Sequence, residues 1–261
     1  MQGLLRNPLA DPYLLGISGG AALGVALTVV LGIDTPPVVT LAAFGGSLGA
    51  VALIYAVANA LPTGLRGPRA TTTLLLTGVV FNAMAGAGVL VMHALLAPEK
   101  SHSLLLWMMG SLGDPSGLAL GLCSLVLVFG AVVLIPRAHQ LNALGLGEDQ
   151  AAAIGVSPDR LRKVVFLTTS LMVGTAVAFS GLIGFVGLLV PHLVRLRWGG
   201  DYRLLLPASM LAGGAFLILA DVGARGAFHV AESVLPVGAI TALVGAPTFL
   251  MLLRAGLKEG R

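Results

Sequence analysis

The chain has 261 residues, of which 57% are hydrophobic and only 10% charged, with a formal net charge of +4 and a mean hydropathy of +0.98. A soluble domain of this length needs a charged surface that such a composition does not supply, so the balance points to a polytopic membrane protein. Lys and Arg lie in the gaps between apolar runs rather than on one basic face, which argues against a nucleic-acid partner, and the one cysteine, Cys123, excludes a disulfide framework or a cysteine-rich metal site.

In chain order, Met1 to Pro12 is short and polar and has no apolar core of a signal peptide. Apolar spans are predicted at Tyr13 to Leu31 and, after the Asp34-Pro36-Pro37 turn, at Val38 to Leu61, where Gly45, Gly46 and Gly49 permit close helix contact. After the loop at 62–69 a third span runs from Thr71 to Leu95. Ala97 to Ser103 reads as a polar loop, Leu104 to Leu112 as a short interfacial or re-entrant piece carrying Trp107, and Gly117 to Ile135 as a fourth span.

The longest interruption of the apolar pattern is Leu141 to Lys163. Glu148, Asp149, Gln150 and the alanines at 151–153 suit a helix with acidic residues leading, and Gly155 followed by Pro158 reads as its stop. A second short helix is predicted from a Ser157 cap ahead of Pro158 and Asp159. Leu146, Ile154 and Val156 supply an apolar side. The segment is too short to cross a bilayer, and it is expected to hold something outside the membrane.

From Val164 to Val194 the chain is predicted to make two passes broken at Ser180-Gly181, the second only about 13 residues or ~20 Å long, and therefore packed within protein or beside a watery cavity. Gly181, Gly184 and Gly187 recur every three residues, as on one close-packing helix face, and Pro191 bends the end of the second pass. Spans at Leu204 to Val222 and Val234 to Leu253 complete eight passes with both termini on one side. Thirteen of the fifteen Lys and Arg then lie on that side, leaving only Lys100 and Arg225 outside, so the 141–163 stretch is expected to be cytoplasmic.

Ionisable residues separate the function classes. Proton- or sodium-driven carriers use carboxylates inside spans, and of the eleven acidic residues only Asp221 touches one. Thr77, Asn82 and Ser170 fit either bonds between neighbouring helices or the lining of a path; Asn82 is the best path candidate, because a mid-span amide without partners is costly. His93, at the outer end of a span, reads as interfacial, with haem ligation as the alternative. There is no HExxH, the lysines do not follow glycine as in a phosphate-binding loop, and Ser180 and His192 have no third polar partner. If ATP drives this protein, another chain binds it.

The motifs RNPLADPYLLGISGGA at 6–21, LLLTGVVFNA at 74–83, WMMGSL at 107–112, LGEDQAAAIGV at 146–156, SGLIGFVGLLVPHLVR at 180–195, DYRLLLPAS at 201–209, LADVGAR at 219–225 and LPVGAITALVGAPTFLMLL at 235–253 cover the whole chain. Together they resemble the permease subunits of type II ABC importers for iron-siderophore complexes, haem and vitamin B12, the iron-chelate uptake permease family. The resemblance implies an all-α polytopic fold, with residues 1–261 forming a single transmembrane domain that contains the 141–163 coupling helices. Family members have ten spans, and this chain is expected to lack the first and nearly all of the second.

The resemblance further implies a multi-pass protein of the bacterial inner membrane with both termini cytoplasmic, which assembles as a homodimer with two cytoplasmic ATPase subunits and an extracytoplasmic binding protein. ATP and Mg would sit on the ATPase, with no cofactor or metal in this chain. By the same resemblance Leu146, Gly147, Glu148, Asp149, Ala152, Ile154, Gly155 and Val156 form the helix that couples to the ATPase, a solvated loop helix being the plain alternative. Arg225 and Glu232, with His229 nearby, would face the binding protein, Arg225 also being placed to pair with Asp221. Thr77, Asn82 and Met84 are candidates for the path, and Gly181, Gly184, Gly187 and Pro191 for a hinge. An ion-gradient-driven carrier is the other function class.

Overall fold

The computed structural model describes residues 1–5, 11–60, 70–113, 115–226 and 235–259. Every regular element among the described residues is helical, as hydrocarbon requires of a chain that must satisfy its backbone groups internally. A short turn α1 (Gln2–Leu5) and a 3-10 turn at Pro12–Leu15 lead into α2 (Ile17–Val30), α3 (Pro36–Ala60), α4 (Ala70–Leu95), α5 (Pro98–Met109) and α6 (Gly117–Leu134). The chain continues through α7 (Ala138–Leu146), α8 (Glu148–Ala153), α9 (Pro158–Ser180), α10 (Val186–Trp198), α11 (Tyr202–Gly226) and α12 (Val237–Glu259). Among the described residues five helical stretches are long and apolar enough to cross a membrane: α3, α4, the continuous run from α6 into α7, α9 and α11. α2 and the apolar part of α12 are shorter.

Small residues set how closely the central helices approach. A Cβ added at Gly20, Gly24 or Gly46 would overlap the carbonyl of Gly46, Ala42 or Gly20 respectively, so α2 and α3 touch backbone to backbone, in opposite directions. Gly45 and Gly49, expected to share that role, have nothing among the described residues within 4 Å of such a Cβ and lie off this seam. α9 runs antiparallel along another side of α3, with Gly174 against the Ser47 side chain and the Tyr55 and Phe166 rings stacked with centroids 6.1 Å apart.

The buried core joins membrane helices to the extramembrane arm: Ile17, Ile54 and Phe166 belong to the same cluster as Leu141 and Leu144 of α7 and Leu161 of α9. Burying each of these leucines contributes roughly 1.5–3 kcal/mol, enough to fix α7 against the bundle. Outward-facing Leu41, Leu76, Leu90, Leu125 and Leu211 are exposed, the expected state of side chains that meet lipid tails rather than water.

Three expectations are corrected. Residues 98–103 are not a loop but the first half of α5, because Pro98 at its first turn follows an extended Ala97 and presets the helical φ. The helix that begins at Pro158 is not a short second extramembrane element; it continues unbroken for 23 residues to Ser180. The pair of short helices is instead α7 and α8, and Ser157 sits at the start of α9 without a side-chain capping bond. Finally, Gly181, Gly184 and Gly187 do not share a helix face: Gly181 ends α9 with φ +68°, Gly184 lies in the unwound 181–185 linker, and Gly187 is in the first turn of α10.

Candidate functional site

α8 is six residues long, too short to hold helical form alone, and its two ends are built to compensate. At the start, Gly147 takes φ +149°, and Glu148 and Asp149 place negative charge on the first turn. At the finish, the Val156 N–H donates to the Ala151 carbonyl at 2.9 Å and the Gly155 N–H to the Ala152 carbonyl at 3.0 Å. With Gly155 at φ +84°, this pair of bonds is the Schellman closure that glycine favours. Ala151 is fully buried and Val156 packs on the main core cluster, so the cap also fastens α8 to the bundle.

The sequence-assigned residues therefore divide into two faces. Leu146 (75% exposed) and Ile154 (70% exposed) point outward, together with Asp149, Ala152 and Gly155. Gly147, Glu148 and Val156 are half-buried on the inner side. Val156, expected to extend the outward apolar surface, belongs instead to the attachment.

Two polar links that the sequence reading did not single out hold this arm. Arg162, 9% exposed in the first turns of α9, donates one guanidinium nitrogen to Glu148 Oε1 and the other to Asp159 Oδ1, the latter at 3.0 Å. At the other end, Asn142 of α7 donates Nδ2–H to Asp201 Oδ1 at 2.6 Å and accepts the Tyr202 N–H on Oδ1 at 3.0 Å. Asp201 also accepts the Arg203 N–H at 2.9 Å. That backbone donor first, and the Asn142 amide second, hold the Asp201 carboxyl below its ordinary 3.8. The available signal for Arg162 was its spacing of three from Asp159 on a helix start; its bond to Glu148, fourteen residues away, needs the fold.

A second locus lies where unwound backbone meets backbone. Gly110 (φ +70°) and Gly181 (φ +68°) sit so close that a Cβ on Gly181 would overlap the Trp107 carbonyl, and one on Gly238 would overlap that of Met109. The Ser111 N–H donates to the Ser180 carbonyl at 2.8 Å, and Phe185, which precedes α10, adopts φ +68° without being glycine. The proposed hinge residues Gly181 and Gly184 belong here. Pro191 lies inside α10, where it cannot donate to the Gly187 carbonyl; that carbonyl accepts the Gln2 side-chain amide at 3.1 Å instead.

The path candidates all lie on α4. Thr77 bonds back to the Thr73 carbonyl at 2.8 Å, Asn82 donates to the Tyr13 carbonyl at 2.5 Å, and Met84 is exposed on the bundle exterior. At the far end of α11, Arg225 Nε donates to Asp221 Oδ2 at 2.8 Å, as its spacing predicted, and its other arm reaches the Leu112 carbonyl at 2.9 Å. Half-buried His93 shares a 2.7 Å hydrogen bond with Ser101. Glu232 and His229 lie outside the described residues. Among the described residues no group of His, Cys, Asp or Glu could hold a metal ion.

Membrane-length helices, joined by a short, firmly attached helix with Leu146 and Ile154 exposed on either side of it, define a multi-pass helical membrane protein. The chain belongs to the FecCD transport family, whose model matches residues 1–255. It is similar to the hemin transport system permease protein HmuU of Yersinia pestis, 41% identical over 258 residues that cover 97% of this chain and 75% of that protein. It is also similar to the cobalamin import system permease protein BtuC of Halobacterium salinarum, 41% identical with 97% and 66% covered. A solved inward-facing structure of a metal-chelate type ABC transporter superposes with a TM-score of 0.87 at 30% identity, covering 97% of this chain and 79% of that one. The protein is thus a permease subunit of an ABC transporter, as the motif series implied.

Proposed function

We propose that this permease carries a bulky metal chelate or tetrapyrrole, of the iron-siderophore, haem or vitamin B12 class, inward across the bacterial inner membrane. In the assembly two copies of the chain pair, two cytoplasmic ATPase subunits hold the ATP and Mg, and an extracytoplasmic binding protein delivers the substrate. The single observation that carries the coupling assignment is that Leu146, which ends α7, and Ile154, the C-cap of α8, are both turned outward from an arm clamped to the bundle through Glu148. Exposed apolar side chains on an arm of otherwise polar sequence support a protein contact there. The distribution of basic residues supports a cytoplasmic position for α8 and for both termini, and the relatives named for hemin and cobalamin support the substrate class.

Arg225 is the proposed contact for the binding protein, together with Glu232. A gradient-driven carrier is disfavoured, because Asp221, the one acidic residue in the body of α11, is already occupied by Arg225. The test is uptake into proteoliposomes that contain the permease, its ATPase and its binding protein, with a ferric siderophore, haemin and cyanocobalamin as separate arms. ATP-dependent accumulation of one class is expected. Accumulation driven by an imposed proton or sodium gradient without the ATPase would replace this reading.

A further inference from the structure

Resting on the assignment of α8 as the coupling helix, we propose that Arg162 is a positioning residue that makes α8 and α9 one lever, while Asn142 ties the same arm to α11. A push on the outward face of α8 then reaches two membrane helices at once. The two carboxylates that Arg162 grips come from different elements, Glu148 from the first turn of α8 and Asp159 from the first turn of α9. α8 is six residues long and would be free to roll about the Ala151 and Val156 contacts if this were its sole attachment; a planar fork that meets both carboxylates fixes its orientation. α9 then runs 23 residues to Ser180, or ~34 Å at helical rise. It ends at Gly181, where the chain unwinds.

Asn142 uses both ends of its amide on the start of α11, donating to Asp201 and accepting from Tyr202. The arm from α7 to α8 is thereby bound at its root to α11 and at its tip to α9. Stability alone is a poor reason for such a group, since Arg162 is desolvated while the Asp159 side chain is 57% exposed and that of Glu148 26%, so that a costly burial is set against solvent-weakened pairs. Among the described residues the Arg162 Nε is also buried without a partner, which is a cost rather than a gain in stability. Fixing one orientation of α8 is what the arrangement does achieve.

The test compares the complete transporter in proteoliposomes with Arg162→Met combined with Glu148→Gln, which removes the pair without leaving one charge buried, and separately with Asn142→Ala. The readouts are ATPase assembly and substrate moved per ATP hydrolysed, a ratio that a merely structural residue leaves unchanged in the complexes that do fold. Assembly within twofold of the parent is expected, with the ratio reduced at least tenfold in the double variant and at least threefold in Asn142→Ala. Arg162→Lys, which keeps the charge without the fork, is expected to lie in between. An unchanged ratio in both variants of a working transporter would overturn this proposal alone, and so would loss of assembly in Asn142→Ala. Uptake at the parent's rate by Ile154→Asp, which charges the outward face, would instead overturn the assignment of α8 beneath it.

Discussion

Gly155 has open space where a side chain would point, with nothing among the described residues within 4 Å of an added Cβ, yet its φ is +84°. The barrier to substitution there is conformational rather than steric, roughly 1–2 kcal/mol for a residue with a Cβ. Gly155→Val is therefore expected to loosen the cap of α8 and lower transport per ATP several-fold while the permease still inserts and purifies. Uptake stoichiometry against expression level checks this, and a normal ratio would remove Gly155 from the coupling account. This residue was legible in the sequence, because a glycine shortly before a proline after a helix-forming run is a local signal. Arg162 was not. Its charge looked like any other basic residue flanking a span, and only the folded approach of α8 to α9 discloses its partner.

At the scale of elements, α10 shows how a helix that contains proline is made good from elsewhere. Pro191 cannot donate to the Gly187 carbonyl, and the Gln2 amide does so from α1. In a Pro191→Ala variant the restored backbone N–H competes for that carbonyl, so Gln2 becomes redundant. Gln2→Ala is expected to cost ~1 kcal/mol, the usual net worth of one hydrogen bond, in the parent, and almost nothing in Pro191→Ala. Thermal unfolding of the four proteins of this cycle in detergent measures it; equal costs in both backgrounds would show that the bond does not serve this purpose. Pro191→Ala alone is expected to change transport rate more than yield. The break before α10 was legible from charge parity across the 164–194 run. What was not legible was the register of contacts: Gly46 faces α2 while Gly45 and Gly49 do not, a difference set by which side of α3 meets a neighbour.

At the scale of the whole molecule, two polar ends of the bundle do different work. One end carries α8, fixed by Arg162 and Asn142. The other carries Arg225, whose side chain is 61% exposed although it is held by Asp221 and the Leu112 carbonyl. An exposed pair of this kind adds little stability, which leaves its cation available to steer an acidic partner. Arg225→Glu is expected to slow association with the binding protein several-fold at low salt, and much less at high salt where such charges are screened within ~10 Å, with ATPase assembly unchanged. An association rate equal to the parent's at low ionic strength would leave only the link to Asp221 and Leu112. The class of fold was legible from composition and apolar run lengths alone. The division of the coupling segment into an outward and an inward face was not, since Ile154 and Val156 are equally apolar in the sequence and only packing separates them.

The outward face of α8 is the proposed seat of the ATPase, and ATP-dependent uptake by Ile154→Asp beside the parent tests this most directly. The Ile154 side chain is 70% exposed and is not part of the core cluster on which Val156 packs, so the variant is expected to fold, insert and bind its delivery protein, yet to recruit the ATPase at least tenfold more weakly and to lose uptake in proportion. Uptake by Ile154→Asp at the parent's rate and ATPase concentration would contradict the assignment of α8 as the coupling element.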